Sequence, residues 1–305
     1  MKIDSENFDE LVARALSNEG VAHMRPVVEK ELLHYDILFS LEKEGMLNDL
    51  TFQGGTSLRL CHNASRFSED LDFAGGKDFT ATQLDRMKKC IETYIGSRYG
   101  LEVAVKEPDQ LKKDPKYTDL KIDKWQIAVV TAPKRKEVPK QKIKVEVANV
   151  PAYTREPLPM GANYDFLPDG YGDTLIMTET LDEVMADKLV SLPATQNYVR
   201  NRDIWDLSWL HQQKAQIRED LVQKKLNDYS IGGYDAMLEN MIGRLPAIVA
   251  GSQFQDEMRR FTPSDVYDRT LGQEKFQQFL VSNVTKILKE LQSRMDGETS
   301  PEFVM

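Results

Sequence analysis

The chain has 305 residues, 41% hydrophobic and 29% charged, with a net charge of −9. That length is ample for a core of one or two domains, and the acidic balance excludes a bulk nucleic-acid binder. Two cysteines, Cys61 and Cys90, form neither a disulfide framework nor a metal spacing, so both are expected as small buried hydrophobes in a reducing compartment. There is no basic-then-apolar leader and no apolar run of membrane-span length, which points to a soluble cytoplasmic protein.

In chain order, residues 4–18 read as an amphipathic helix with Phe8, Leu11, Val12 and Leu16 on one side. Pro26 opens a second helix, running to about Glu44. His34 lies among its apolar residues and is expected as a satisfied helix histidine. Glu29-Lys30-Glu31 reads as support for the motif that follows. Leu50–Gln53 is a short strand, Thr56–Cys61 a short helix behind Gly54 and Gly55, and Phe67–Phe73 a second strand ended by Gly75 and Gly76. A helix is expected over Thr80–Ile95 with Gly96 as its stop, then a strand over Leu101–Val105. Lys106–Lys116 reads as a charged loop, Leu120–Thr131 as one or two strands, Ala132–Pro139 as a basic turn and Lys142–Val147 as a strictly alternating strand. Residues 151–172 hold four prolines and three glycines and are expected to connect two domains, 1–150 and 173–296. Beyond Thr180 the periodicity is helical: Leu181–Leu192, Ile204–Gln212, Ile217–Leu226, Asp235–Val249 and Gln273–Arg294. Gly297–Met305 is a mostly polar tail.

Four places carry chemistry. Asp70 and Asp72 lie two apart on a strand and project together, while Leu71 and Phe73 face a core. Adjacent carboxylates repel unless a cation lies between them, and hard oxygen donors suit Mg²⁺. The helix start at Gly54, Gly55, Thr56 and Ser57 offers free N–H groups to phosphate. Together these suggest an enzyme acting on a nucleoside triphosphate; the plainer alternative for the two aspartates is a solvated strand edge. Lys144 and Glu146 share one strand face, which an ordinary half-exposed strand would also produce. Lys188 lies on the apolar stripe of its helix, where an ammonium needs an anion or a path to water. In Arg200-Asn201-Arg202-Asp203, followed by Asp206, Asp203 could be an N-cap and Asp206 a surface partner of Arg202.

The run Gly-Gly-Thr-Ser-Leu, then Arg66-Phe-Ser-Glu-Asp-Leu-Asp-Phe73, resembles the nucleotidyltransferase superfamily of the polymerase-β type, and within it the AbiEii family of type IV toxin–antitoxin and phage-abortive systems, which includes the MenT toxins. The resemblance implies an α/β nucleotidyltransferase domain with a mixed sheet and a helical C-terminal domain. It implies transfer of NMP from an NTP to an RNA acceptor, a tRNA 3′ end as in MenT toxins, with arrested translation and a cognate antitoxin. Mg²⁺ or Mn²⁺ would be held by Asp70, Asp72 and Glu146, where the family pattern has Asp in place of Glu146. Gly54, Gly55, Thr56, Ser57 and Arg66 would meet the phosphates, with Lys144 and Arg202 nearby. Lys188 and Asp203 match family site positions. A nucleotidyltransferase acting on a protein side chain, or a non-catalytic nucleotide-binding module, remain the alternatives. Between Lys106 and Lys144, twelve Lys and Arg stand against six acids. This is either a solvated face or an RNA-docking segment, with Lys134-Arg135-Lys136 as its foremost turn.

Overall fold

The computed structural model describes residues 6–111 and 122–297. The chain divides at Glu179/Thr180 into a first unit, Met1–Glu179, and a second, Thr180–Met305. The first unit opens with α1 (Phe8–Leu16), whose N-terminus is capped by the Asn7 side chain accepting from the Asp9 and Glu10 amides. Next comes α2 (Arg25–Lys43), with Pro26 in its first turn as expected. It is followed by β1 (Thr51–Gln53), α3 (Gly54–Leu60) and β2 (Leu71–Ala74). A short 3₁₀ turn (Ala81–Leu84) precedes α4 (Met87–Tyr99). The helix passes through Gly96 and stops instead at Gly100, which takes the left-handed cap that glycine adopts without strain. β3 (Val103–Lys106), α5 (Pro108–Leu111), β4 (Ile122–Val129) and β5 (Gln141–Ala148) follow. Most of the loop read over Lys106–Lys116 lies outside the described residues.

Residues 151–179 do not merely connect. They supply β6 (Glu156–Pro159) and β7 (Leu175–Thr178), which pair with each other, and β7 pairs with β1. Pro157 and Pro159 fit here because β6 is an edge strand, where a missing N–H breaks no ladder. Among the described residues the seven strands form one mixed sheet in the order β3-β4-β5-β2-β1-β7-β6. β1–β7 and β2–β5 are parallel, and the other pairs antiparallel. One face is apolar: Val105, Trp125, Ile127, Val129, Ile143, Val145 and Val147 are all buried. α2 runs against β5 and α4 against β3.

The second unit is helical: α6 (Leu181–Ala194), α7 (Asn201–Gln212), α8 (Glu219–Asp228), α9 (Tyr234–Ala250), α10 (Ser252–Phe261), α11 (Ser264–Arg269) and α12 (Glu274–Met295). Five of these are the helices expected from periodicity; α10 and α11 were not anticipated. Leu189, Leu207, Leu238, Leu245, Leu280 and Leu288 fill its core without measurable exposure. The tail from residue 298 lies outside the described residues.

α2 carries polar groups into the core, and most have partners there; Asp36 Oδ1 accepts from Arg98 and Tyr171, while its Oδ2 has no hydrogen bond among the described residues. Glu31 takes a two-pronged bond from Arg59, and Glu29 accepts from Thr131 Oγ1 at 3.0 Å and Gln141 Nε2 at 2.7 Å. His34 Nε2 lies 2.9 Å from the Glu69 carbonyl; a carbonyl only accepts, so Nε2–H donates. Burial pushes this imidazole down to about 4, against the pull of the Glu69 carbonyl. The unfolded chain then binds a proton that the folded chain refuses. The His34 contribution is therefore complete above the free imidazole value near 6.5 and is lost as pH falls toward 4. Unfolding free energy measured by urea titration is expected to decline across that window by up to ~1.4 kcal/mol per pH unit from this group, and His34→Gln is expected to remove that share of the slope.

Candidate active site

The Gly-Gly-Thr-Ser run is helical from its first glycine: α3 begins at Gly54. Gly54 has φ +77°, and a Cβ placed on it would come within 2.7 Å of Asp72 Oδ2. Only glycine allows both this conformation and the close approach of the backbone to that carboxylate. A Cβ on Gly55 would meet Arg66 Nη2 at 2.7 Å, so the second glycine seats the Arg66 guanidinium. Arg66 is buried and donates to the Phe67 carbonyl at 2.7 Å. The hydroxyls of Thr56 and Ser57 are used internally: Thr56 Oγ1 donates to the Asp70 carbonyl, and Ser57 Oγ to the Gly54 carbonyl at 2.9 Å. What this turn can offer a ligand is its backbone N–H groups.

The second strand is shorter than expected, and Asp70 lies one residue before it. Its segment is held from both sides. α2 grips Glu69 twice, through Lys30 Nζ on its carboxylate at 2.6 Å and His34 on its carbonyl. The Lys144 backbone N–H and Nζ reach the Asp70 carboxylate at 3.1 and 3.5 Å. β2 and β5 are in parallel register with Asp72 directly beside Glu146. Lys124 on β4 faces Glu146 in the antiparallel register, its Nζ 3.6 Å from Oε1. Gln53 completes the row on β1. Asp70, Asp72, Lys144 and Glu146 are all partly exposed.

Gly54, Gly55, Thr56, Ser57, Arg66, Asp70, Asp72, Lys144 and Glu146 thus assemble in one region of the first unit. Asp70, Asp72 and Glu146 supply only hard oxygen donors, the set that Mg²⁺ or Mn²⁺ takes. Among the described residues, no three Asp, Glu, His or Cys side chains converge as ligands. Asp70 faces Lys144 and Glu146 faces Lys124, so ammonium groups stand where a cation would neutralise the same carboxylates. The donors fit the ion in kind and in strand position. Sequence reasoning missed Lys124 and His34 as members of this arrangement, whereas Lys30 does support the motif, as its run was read to do. Lys124 had one signal, its place on the polar side of an alternating strand.

Lys188, Arg202 and Asp203 belong to the second unit. Lys188 does point into the core, as its stripe position implied, and its anions are protein carboxylates: Asp203 at 2.7 Å and Asp206 at 3.3 Å. Asp203 is not an N-cap. It lies inside the first turn of α7 and also accepts from Ser191 Oγ at 2.8 Å and Arg200 Nε. Burial alone would raise the Asp203 carboxyl, but Arg200 and Lys188 outweigh it and hold it well below the usual carboxylate range. Asp206 is buried rather than a surface partner of Arg202, which pairs with Glu257 and lies over the Phe261 ring. Cys61 and Cys90 are half-buried rather than fully buried, and desolvation pushes the Cys61 thiol up to about 12.

Residues 36–282 match the family described as the nucleotidyl transferase AbiEii toxin of type IV TA systems. The chain belongs to that family and is a nucleotidyltransferase-type toxin. Among solved structures it is similar to MenT4, a nucleotidyltransferase toxin of Mycobacterium tuberculosis H37Rv. The identity is 19%, the alignment covers 97% of this chain and 100% of that one, and the TM-score is 0.52. It is also similar to a candidate nucleotidyltransferase of H. pylori, with 17% identity, 90% and 98% coverage and a TM-score of 0.49. The first likeness shows a shared fold, the mixed sheet with many helices. A sequence comparison with curated proteins returned no match.

The buried cluster around Lys188 has a direct test. Lys188→Met completes an apolar stripe but strips the ammonium from two buried carboxylates. Breaking a buried pair from one side destabilises by roughly 3–5 kcal/mol. Arg200 still holds Asp203, so a loss near ~3 kcal/mol by urea unfolding is expected. An unchanged stability would show that Lys188 is not an anchor and is free to serve a phosphate.

Proposed function

We propose that this chain transfers a nucleoside monophosphate from an NTP to the 3′ end of an RNA, a tRNA, in the cytoplasm, and so arrests translation. A cognate antitoxin restrains it, and infection by phage is the condition in which release would act. The observation that carries this reading is the row formed by Asp72 and Glu146 on adjacent parallel strands, with the Gly54 backbone against Asp72 and Asp70 one residue away. Acid side chains and a glycine-led backbone turn occupy one place on the sheet.

In the step proposed, the acceptor's 3′ oxygen forms a bond to the α-phosphorus, the bond from that phosphorus to pyrophosphate breaks, and the hydroxyl proton passes to Glu146. The backbone N–H groups at Gly55 and the buried Arg66 hold phosphate oxygens. A divalent cation, when held by Asp70, Asp72 and Glu146, compensates the charge of the triphosphate. Lys144 and Lys124 are this chain's own countercharges, and each must yield its carboxylate for the acids to turn toward such an ion. Gly54 keeps the space beside Asp72 clear. The longer arm of Glu146 reaches from the same strand position that Asp takes in the family pattern.

Incubation with each labelled NTP, Mg²⁺ and total tRNA is expected to label tRNA and release pyrophosphate, with one NTP preferred. Asp72→Asn and Asp70→Asn are each expected to lose transfer by about 10²–10³-fold or more, while Glu146→Asp retains part of it and Glu146→Gln does not. Near-wild-type transfer by Asp72→Asn would overturn the site. Label found on protein with tRNA untouched would overturn the RNA acceptor.

A further inference from the structure

Positive charge in the first unit is concentrated in one hairpin. From Ile122 to Lys144 there are seven Lys and Arg and two acids, Asp123 and Glu137, on a chain of net charge −9. Asp123 is buried. Strand register sorts this charge into rows on the face opposite the apolar one. Lys106, Gln126 and Lys144 stand side by side across β3, β4 and β5. The row nearer the turn is Ala104, Ala128 and Lys142. Lys106 and Lys142 are exposed, and so are Lys134, Arg135 and Lys136 in the turn that closes the hairpin. In the other direction the next row is Lys124, Glu146, Asp72 and Gln53. The face therefore carries mostly Lys and Arg from the turn to Lys144, with Glu102 held by Lys140 at 2.9 Å beside the turn, and is acidic at Asp72 and Glu146.

We propose that this face is the docking track of the acceptor RNA, with its phosphates over the turn, Lys142 and Lys106, and its 3′ end stopped at Asp72 and Glu146. The proposal rests on the reading that the acceptor is RNA. A polyanion is repelled by an acidic surface and drawn to a cationic strip on it. Rows on one face are about 7 Å apart along a strand, the scale of a nucleotide step, and the two alanines leave the face low enough for ribose or base to lie against it. At the Asp72–Glu146 row a continuing phosphodiester would meet carboxylates. A terminal nucleotide, with a hydroxyl and no further phosphate, does not. The same charge reversal that ends the track thus selects a chain end over an internal nucleotide.

The test uses the whole protein, a turn variant (Lys134→Gln, Arg135→Gln and Lys136→Gln) and a face variant (Lys106→Gln with Lys142→Gln). Each is titrated with a fluorescent single-stranded RNA ending in a 3′ hydroxyl, and with the same RNA ending in a 3′ phosphate, over a range of salt. All five side chains are exposed, so unfolding temperature and NTP binding are expected to match the wild type. Each variant is expected to bind RNA roughly tenfold or more weakly, with the log–log salt slope flattened by about 2 in the turn variant and about 1.4 in the face variant. Lys142→Arg, which keeps the charge, is expected to bind as the wild type does, and the 3′ phosphate to weaken wild-type binding. Equal affinity and unchanged slopes in both variants, with a wild type that binds and labels RNA, would overturn the track and leave the RNA acceptor standing. A wild type that neither binds nor labels RNA would overturn both.

Discussion

Two carboxylates on facing positions of adjacent strands are a destabilising arrangement, and the register of β2 against β5 imposes it by setting Asp72 beside Glu146. The surroundings of that pair are arranged to tolerate it. Lys124 meets Glu146 from β4, and Lys144 meets Asp70 from β5. Gly54 gives Asp72 room that no other residue would leave. α2 fixes the approach to the strand by holding Glu69 through Lys30 and His34, and Thr56 ties the Asp70 carbonyl to α3. A cation taken up by this row would have to displace Lys124 and Lys144 from the carboxylates they now hold.

The second unit places a set of ionic groups in its interior, on α6, α7 and α8. α6 offers Lys188 to Asp203 and Asp206 of α7, and Glu183 and Asp187 to Lys225 of α8. Buried pairs of this kind add little net stability over apolar packing, yet removing one partner is costly. Their effect is to fix how α7 and α8 sit on α6, since a slip along either helix would leave a buried charge without its mate.

How much of this could be read from the chain follows from what each feature depends on. Strong alternation in β5 and helical spacing in α2, α6 and α12 are local signals, and they placed those elements to within a few residues. The membership of Asp70, Asp72, Lys144 and Glu146 in one place followed from a motif whose parts are close in sequence, and their assembly in the first unit agrees with it. Partners distant in sequence were not legible. Nothing in Lys188 itself names Asp206, and the i, i+4 spacing suggested Arg202 for that aspartate instead. His34 was legible as a satisfied histidine but not as a grip on Glu69, because that contact joins residues 35 apart. The prolines of residues 151–172 suggested a linker, whereas an edge strand accepts Pro157 and Pro159 equally well.

The idea that Asp72 and Glu146 form a cation site is tested most directly by titrating Mn²⁺ into the nucleotide-free protein and following the free ion by electron paramagnetic resonance. The wild type is expected to bind Mn²⁺. Asp72→Asn and Glu146→Gln, both folded, are each expected to weaken that binding at least tenfold, about 1.4 kcal/mol. Mn²⁺ affinity unchanged in both variants would contradict the account and leave the acid row as a salt-bridged strand face.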